Sequence, residues 1–260
     1  MKNKKSLGQN WLKDRLSLET IADLAADLPE DSLDKDVRLC VEIGPGLGTL
    51  TSSLLRRFEK VTAVEFDASL ARNLPASFPG KPLTVVNQDI LQFDFSSIKE
   101  PYVVAGNIPY YITTPIIEKL LRLPNPPENI VLLVQKEVAE KAAGLSGSSS
   151  FSLFIENFAA VTLGPLVPRA LFTPPPKVDS RVLRLAPRKT PLASDRTLAF
   201  IHRAFASPRK KLSANLAAFT GLSKSAAEAL LVSLGFSANA RPADLSLKDY
   251  IALAETLEKD

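Results

Sequence analysis

Val41-Glu42-Ile43-Gly44-Pro45-Gly46-Leu47-Gly48 is an apolar run that breaks into three alternating glycines. It reads as a buried strand over 39–43 that turns into a helix over 47–57, with Leu47, Leu50, Leu54 and Leu55 on one side. Glycine permits positive φ and lets a ligand approach the backbone closely. About 20 residues on, where such a turn wants an acid at the end of the next strand, stands Glu65, closing a strand over 61–65. A third acid, Asp89, with Ile90 beside it, follows a strand over 83–86. Working outward, helices are predicted over 18–28, 68–74, 115–123 (Thr114 as cap, Pro115 at the first position) and 137–143. Further strands are predicted over 102–105 and 130–134. This alternation predicts an α/β fold: a parallel, Rossmann-like sheet with helices on both faces.

Residues 144–150 (Gly-Leu-Ser-Gly-Ser-Ser-Ser) read as a flexible loop. Late strands are expected over 155–161 and 178–185, antiparallel at a sheet edge. A proline-rich basic linker, 186–194, leads into a purely helical tail. There Leu198, Ile201, His202 and Phe205 share a face, as do Leu247, Ile251 and Ala254. Two domains are expected: 1–188, which carries the glycine turn, and a small all-α domain over 189–260.

The 260 residues are 45% hydrophobic, and no apolar run approaches the ~18–20 residues of a membrane helix. No apolar signal core follows Met1-Lys2-Asn3-Lys4-Lys5, so the expectation is a cytoplasmic protein with no membrane partner; a monomer is expected. One cysteine, Cys40, excludes an intramolecular disulfide and a Cys cluster; with His202 the one histidine, no metal is expected. The net charge of +4 is unevenly spread. Residues 164–215 hold 11 Lys/Arg against 2 Asp/Glu, and residues 1–15 hold 5 against 1. Basic segments on an otherwise acidic chain suggest a polyanion-facing surface. The candidate phosphate contacts are Lys4, Lys5, Arg181, Arg184, Arg203, Arg209, Lys210 and Lys211.

The glycine spacing discriminates among cofactors. In a dinucleotide site a third glycine would stand where Thr49 is, and the loops that follow would not bring acids to an anionic ligand. S-adenosylmethionine has no phosphate and carries a positive sulfonium. Glu65 suits its ribose hydroxyls and Asp89 its adenine amine, with Gly44 and Gly46 giving room. Downstream, Gly106-Asn107-Ile108-Pro109-Tyr110-Tyr111 follows the strand at 102–105. Asn-x-Pro-Tyr at a strand's carboxyl end offers a rigid amide oxygen for an exocyclic amine and a flat ring for a base, which is what N6 methylation of a nucleobase needs.

At this point the chain resembles the KsgA/Dim-type ribosomal RNA adenine N6,N6-dimethyltransferases. The matching segments are 5–12, 41–48, 64–67, 88–89, 106–110, 134–138 and 172–180 (Phe-Thr-Pro-Pro-Pro-Lys-Val-Asp-Ser), with Ala204-Phe205 and Arg209-Lys210-Lys211-Leu212 in the tail. The resemblance implies a class I S-adenosylmethionine-dependent methyltransferase sheet followed by a helical RNA-binding domain. It implies that Asn10 and Leu12 close over the donor, that Gly44, Glu65 and Asp89 bind it, and that Asn107 reaches both donor and target. The implied substrate is two adjacent adenosines in a hairpin near the 3′ end of 16S rRNA, within the immature small ribosomal subunit. In this reading the Asn107 side-chain oxygen and the Ile108 carbonyl accept the N6 hydrogens. Pro109 stiffens the turn, Tyr110 stacks on the base, and Phe172 covers its other face. The chain departs from the family at 149–154, Ser-Ser-Phe-Ser-Leu-Phe, where Tyr-Gly-x-Leu-Ser-Val is common. Other readings are a ribosome-assembly binding factor, a large-subunit rRNA adenine methyltransferase and, disfavoured by the glycine spacing, a nicotinamide oxidoreductase.

Overall fold

The computed structural model describes residues 9–30, 32, 34 and 36–257. Lys4 and Lys5 lie outside them. Contacts divide the chain into two compact units. One comprises 1–139 with 159–187, and the other 140–158 with 188–260. The expected boundary near residue 188 is therefore discontinuous, because 140–158 belongs with the helices.

The first unit is built on a seven-stranded sheet. Five strands are mutually parallel: β2 (Leu39–Ile43), β3 (Lys60–Glu65), β4 (Leu83–Asn87), β5 (Tyr102–Asn107) and β6 (Asn129–Gln135). Two are antiparallel additions, β7 (Ala159–Val167) and β9 (Ser180–Pro187), and the spatial order is β4-β3-β2-β5-β6-β9-β7. β2 is buried along its length and β6 along all but its last residue, as strands covered on both faces must be. A two-residue β1 (Trp11–Leu12) pairs antiparallel with β8 (Phe172–Thr173). Because β3 and β5 leave β2 in opposite directions, a crevice opens beyond the carboxyl ends of β2 and β5, where ligands of such sheets bind.

The helices of this unit are α1 (Arg15–Ala26), α2 (Thr49–Leu54), α3 (Ala68–Asn73) and α4 (Thr113–Leu121); α5 (Lys136–Ala142) leads out of it. Asp14 caps α1, accepting from Ser17 N–H at 2.8 Å, and Asp67 caps α3 through Ser69 N–H at 2.9 Å. Three local expectations are corrected. The helix after the glycine turn starts at Thr49, since Gly48 at φ +82° is left-handed, and Leu47 is 44% exposed. α4 begins at Thr113 without a side-chain cap, and Pro115 is its third residue, where no N–H is needed. The strand expected from residue 155 begins at Ala159.

Residues through Phe158 instead form α6 (Ser150–Phe158) in the second unit. Ser149 and Ser152 cap its start reciprocally, at 2.8 and 3.1 Å. That unit adds α7 (Asp195–Phe205), α8 (Leu212–Thr220), α9 (Lys224–Ser233) and α10 (Leu247–Leu257) around a core containing Leu153, Phe200, Ile201, Leu216, Leu231 and Tyr250. Among the described residues no helix is long and apolar enough to cross a membrane.

Candidate active site

A cavity lies at the carboxyl ends of β2, β3, β4 and β5. Its lining includes Gly44, Gly46, Glu65, Asp89, Ile90, Asn107, Ile108, Pro109 and Tyr110. Residues 63 positions apart in the chain thus share one site because four parallel strands end side by side.

Gly44 and Gly46 adopt φ of +65° and +57°, which other residues avoid. Gly46 is also crowded: a Cβ there would stand 3.1 Å from Trp11 Nε1. Glu65 holds the turn against the end of β3. Its Oε2 accepts from Gly46 N–H at 3.0 Å and its Oε1 from Asp67 N–H at 2.8 Å. Burial pushes its carboxyl above the ordinary range, and the backbone donors offset part of that. A carboxylate has about four acceptor positions, so these backbone donors do not exhaust Glu65.

Asp89 is half-buried, and its Oδ1 accepts from Leu91 N–H at 2.9 Å, closing a turn that presents Ile90 to the cavity. The turn has a second organiser. Lys119 Nζ donates to the carbonyls of Ile90, Leu91 and Phe93 at 3.1, 2.7 and 2.7 Å, and lies over the Phe95 ring.

β5 ends at the Asn107 turn. Gly106 lets β5 pack tightly on β2, because a Cβ there would come within 2.8 Å of the Ile43 carbonyl. Asn107 Nδ2 donates to the Asn10 carbonyl at 3.1 Å. Ile108 is buried, so its side chain anchors the turn and only its backbone is offered to a ligand. Tyr110 Oη and Ser180 Oγ are hydrogen-bonded at 2.7 Å, which fixes that ring.

Two predicted residues are corrected. Phe172 is 3% exposed and belongs to the core with Leu18, Ile21 and Val182; it does not line the cavity. Leu12, paired opposite it across β1 and β8, is fully buried in the same core. Their neighbours Gln9, Asn10 and Trp11 form the cavity wall instead. Other lining residues escaped the sequence reading: Glu42, Thr49, Phe66, Gln88 and Tyr111. Phe66 and Glu42 were signalled by position, one directly after Glu65 and the other two residues before Gly44. Glu42 is fully buried, with Thr51 Oγ1 donating to it at 2.6 Å. Burial pushes its carboxyl up to about 8.

The basic candidates separate. Arg184 is half-buried and already engaged: its guanidinium donates to Asn129 Oδ1, to the Asp27 carboxylate and to the Asp27 carbonyl, at the carboxyl end of α1. The expectation of a phosphate contact there is corrected. Arg181 is half-buried, and its Nε donates to the Gly164 carbonyl at 3.1 Å. In the second unit Arg203, Arg209, Lys210 and Lys211 are all exposed, the last three consecutive in the turn between α7 and α8.

Among the described residues the lining contains the acids Glu42, Glu65 and Asp89 and no lysine or arginine. That chemistry fits a cationic, phosphate-free ligand with ribose and adenine edges, and S-adenosylmethionine fits it. Among the described residues no group of histidine, cysteine and acids is placed to hold a metal.

Comparison with known proteins agrees with this geometry. A family model described as ribosomal RNA adenine dimethylase matches residues 1–259. The chain is 36% identical over 277 residues to ribosomal RNA small subunit methyltransferase A of Bacillus pumilus, covering 98% of this chain and 91% of that protein. The Bacillus mycoides protein of the same description is 35% identical with the same coverage. Among solved structures, a dimethyladenosine transferase from Plasmodium falciparum superposes with a TM-score of 0.80 at 27% identity, covering 95% of this chain and 97% of that one. The 23S rRNA methyltransferase ErmE gives 0.77 at 29% identity, covering 95% and 99%. With the sheet, the acid-lined cavity and the Asn-Ile-Pro-Tyr turn in one place, the chain belongs to the ribosomal RNA adenine dimethylases, S-adenosylmethionine-dependent enzymes with a Rossmann-like fold.

Proposed function

We propose that this enzyme methylates N6 of two adjacent adenosines in a 3′-terminal hairpin loop of 16S rRNA, within the immature small ribosomal subunit of the cytoplasm, and that it acts as a monomer. The observation that carries the reading is the Asn107 turn at the wall of the acid-lined cavity, held by the Asn10 carbonyl. The small-subunit substrate is supported by the names of the Bacillus relatives.

When bound, S-adenosylmethionine supplies an electrophilic methyl group on a sulfonium. Glu65 accepts the ribose hydroxyls, Asp89 accepts the adenine amine, and Gly44, Gly46 and Ile90 shape the space. Asn10 and its neighbours wall the cavity from the amino-terminal side. The adenine N6 lone pair is delocalised into its ring, so the amine is a poor nucleophile. Asn107 Oδ1 and the Ile108 carbonyl accept its two hydrogens, which favours a pyramidal nitrogen and stabilises the positive charge that develops there. Tyr110 stacks on the base, worth roughly 1–3 kcal/mol, and Pro109 keeps the turn stiff. Reaching the site costs the base its stack, a few kcal/mol and less in a loop. The helical unit offsets that cost by holding phosphates with Arg203, Arg209, Lys210 and Lys211.

Primer extension across the 3′ region of 16S rRNA tests this. RNA from a strain lacking the gene is read through at two adjacent adenosines that stop the polymerase in wild type. Stops unchanged there but lost in large-subunit RNA would transfer the assignment to the substrate named for ErmE.

A further inference from the structure

Three of the four tyrosines are used by the fold. Tyr102 donates to the Asn125 carbonyl, Tyr250 to the Pro242 carbonyl, and Tyr110 is bonded to Ser180. Tyr111 is different. It is 65% exposed, its hydroxyl has no partner among the described residues, and it lines the mouth of the donor cavity. A scattered exposed aromatic is ordinary; one that stands at the rim of the reaction cavity, beside the target-facing ring, is a ligand surface in waiting.

We propose that Tyr111 is a second base-contacting residue, stacking on the nucleobase adjacent to the adenine being methylated; this rests on the reading of the cavity as an RNA adenine methylation site. Backbone geometry separates the two roles. Tyr110, Tyr111 and Ile112 form a 3-10 turn closed by Ile112 N–H to the Pro109 carbonyl at 3.2 Å. With 3.0 residues per turn, consecutive side chains diverge by about 120°. Tyr110 and Tyr111 therefore cannot lie on the same base. Tyr110 is half-buried and tethered, which suits the base inside the cavity. Tyr111 projects from the rim, where the flanking base of a flipped nucleotide must lie. Phe172 cannot substitute, being in the core. Stacking is indifferent to which base is presented, because every base has a π-face. Tyr111 therefore accepts whichever base flanks the target on that side.

The test compares Tyr111→Ala and Tyr111→Phe with wild type on immature small subunits, and on an RNA hairpin carrying 2-aminopurine beside the target adenine. Tyr111→Ala raises KM for RNA about tenfold while the melting temperature holds, and it loses the quenching of 2-aminopurine seen on wild-type binding. Tyr111→Phe keeps both, since the ring and not the hydroxyl makes the contact. Wild-type transfer with an unaltered KM and quench in Tyr111→Ala overturns the Tyr111 assignment alone. Absence of transfer by wild type to small-subunit RNA overturns it together with the functional reading.

Discussion

Asn107 Nδ2 donates to the main-chain carbonyl of Asn10 at 3.1 Å, across 97 residues of chain. The acceptor is a carbonyl, which only the amide nitrogen can satisfy, so the bond determines which way the carboxamide faces. Oδ1 has no partner among the described residues, which leaves it open for the amine of the proposed reaction. The contact also ties the catalytic turn to the amino-terminal segment carrying Trp11, the single tryptophan, which lines the same cavity.

Asn107→Ala removes the acceptor proposed to face the developing charge. Methyl incorporation falls by about 10²-fold or more, measured with labelled donor on immature subunits, with the melting temperature nearly unchanged. Activity within a few-fold of wild type rules out the assigned role.

Glu65→Ala removes the proposed ribose acceptor and the clamp on Gly46. Donor affinity drops roughly 10- to 100-fold, the equivalent of a charge-assisted hydrogen bond. Calorimetry measures it directly, and Trp11 fluorescence gives a second readout. Equal affinity would take Glu65 out of the pocket.

Lys119→Met leaves three carbonyls of the Asp89 turn without their shared donor. The expected outcome is a rise of about tenfold in KM for the donor, with kcat at saturating donor preserved, because the turn is loosened and the Asn107 side is untouched. Lys119→Arg restores part of the affinity. A fall in kcat at unchanged KM contradicts a positioning role.

Glu42 titrates near 8 because burial disfavours its charge, with Thr51 lowering the value and Glu65 raising it; the ordinary value is 4.5. The folded state therefore holds this proton more tightly than the unfolded chain. Stability from this group is full below pH 4.5, declines as pH rises towards 8, and levels off above. Glu42→Gln removes that decline. The melting temperatures of variant and wild type match near pH 4.5 and diverge in the variant's favour up to pH 8. Parallel curves over that range refute the assignment.

Arg184 and Lys210 are both cations of the basic segment, with opposite expected behaviour. Arg184→Ala leaves Asn129 and the end of α1 short of a donor and costs about 1–3 kcal/mol of stability, without changing the salt dependence of RNA binding. Lys210→Ala leaves stability alone and lowers the magnitude of the salt slope by about 1. Salt-dependence titrations and thermal melts on the two variants separate these outcomes.

That Gly44, Gly46, Glu65, Asp89 and Asn107 share one cavity was legible because it is written locally. Each stands at the carboxyl end of a strand whose apolar run marks it, and parallel strands bring such ends together without further instruction. What the sequence alone determined is the alternation of strands and helices, the acid-bearing strand ends and the identity of the turn. Tertiary structure decided the rest. A phenylalanine beside three prolines reads as exposed until β1 is seen to pair with β8, which turns Phe172 and Leu12 into the core. Arg184 reads as surface charge until Asp27, 157 residues away, is found beside it. The run from Phe151 to Val161 suits helix or strand by composition, and reciprocal serine capping with burial of Leu153 among the helices divides it at Phe158. For Phe172, Leu12 and Arg184, and for the burial of Leu153, the deciding partners are remote in the chain, and periodicity carries information only about neighbours.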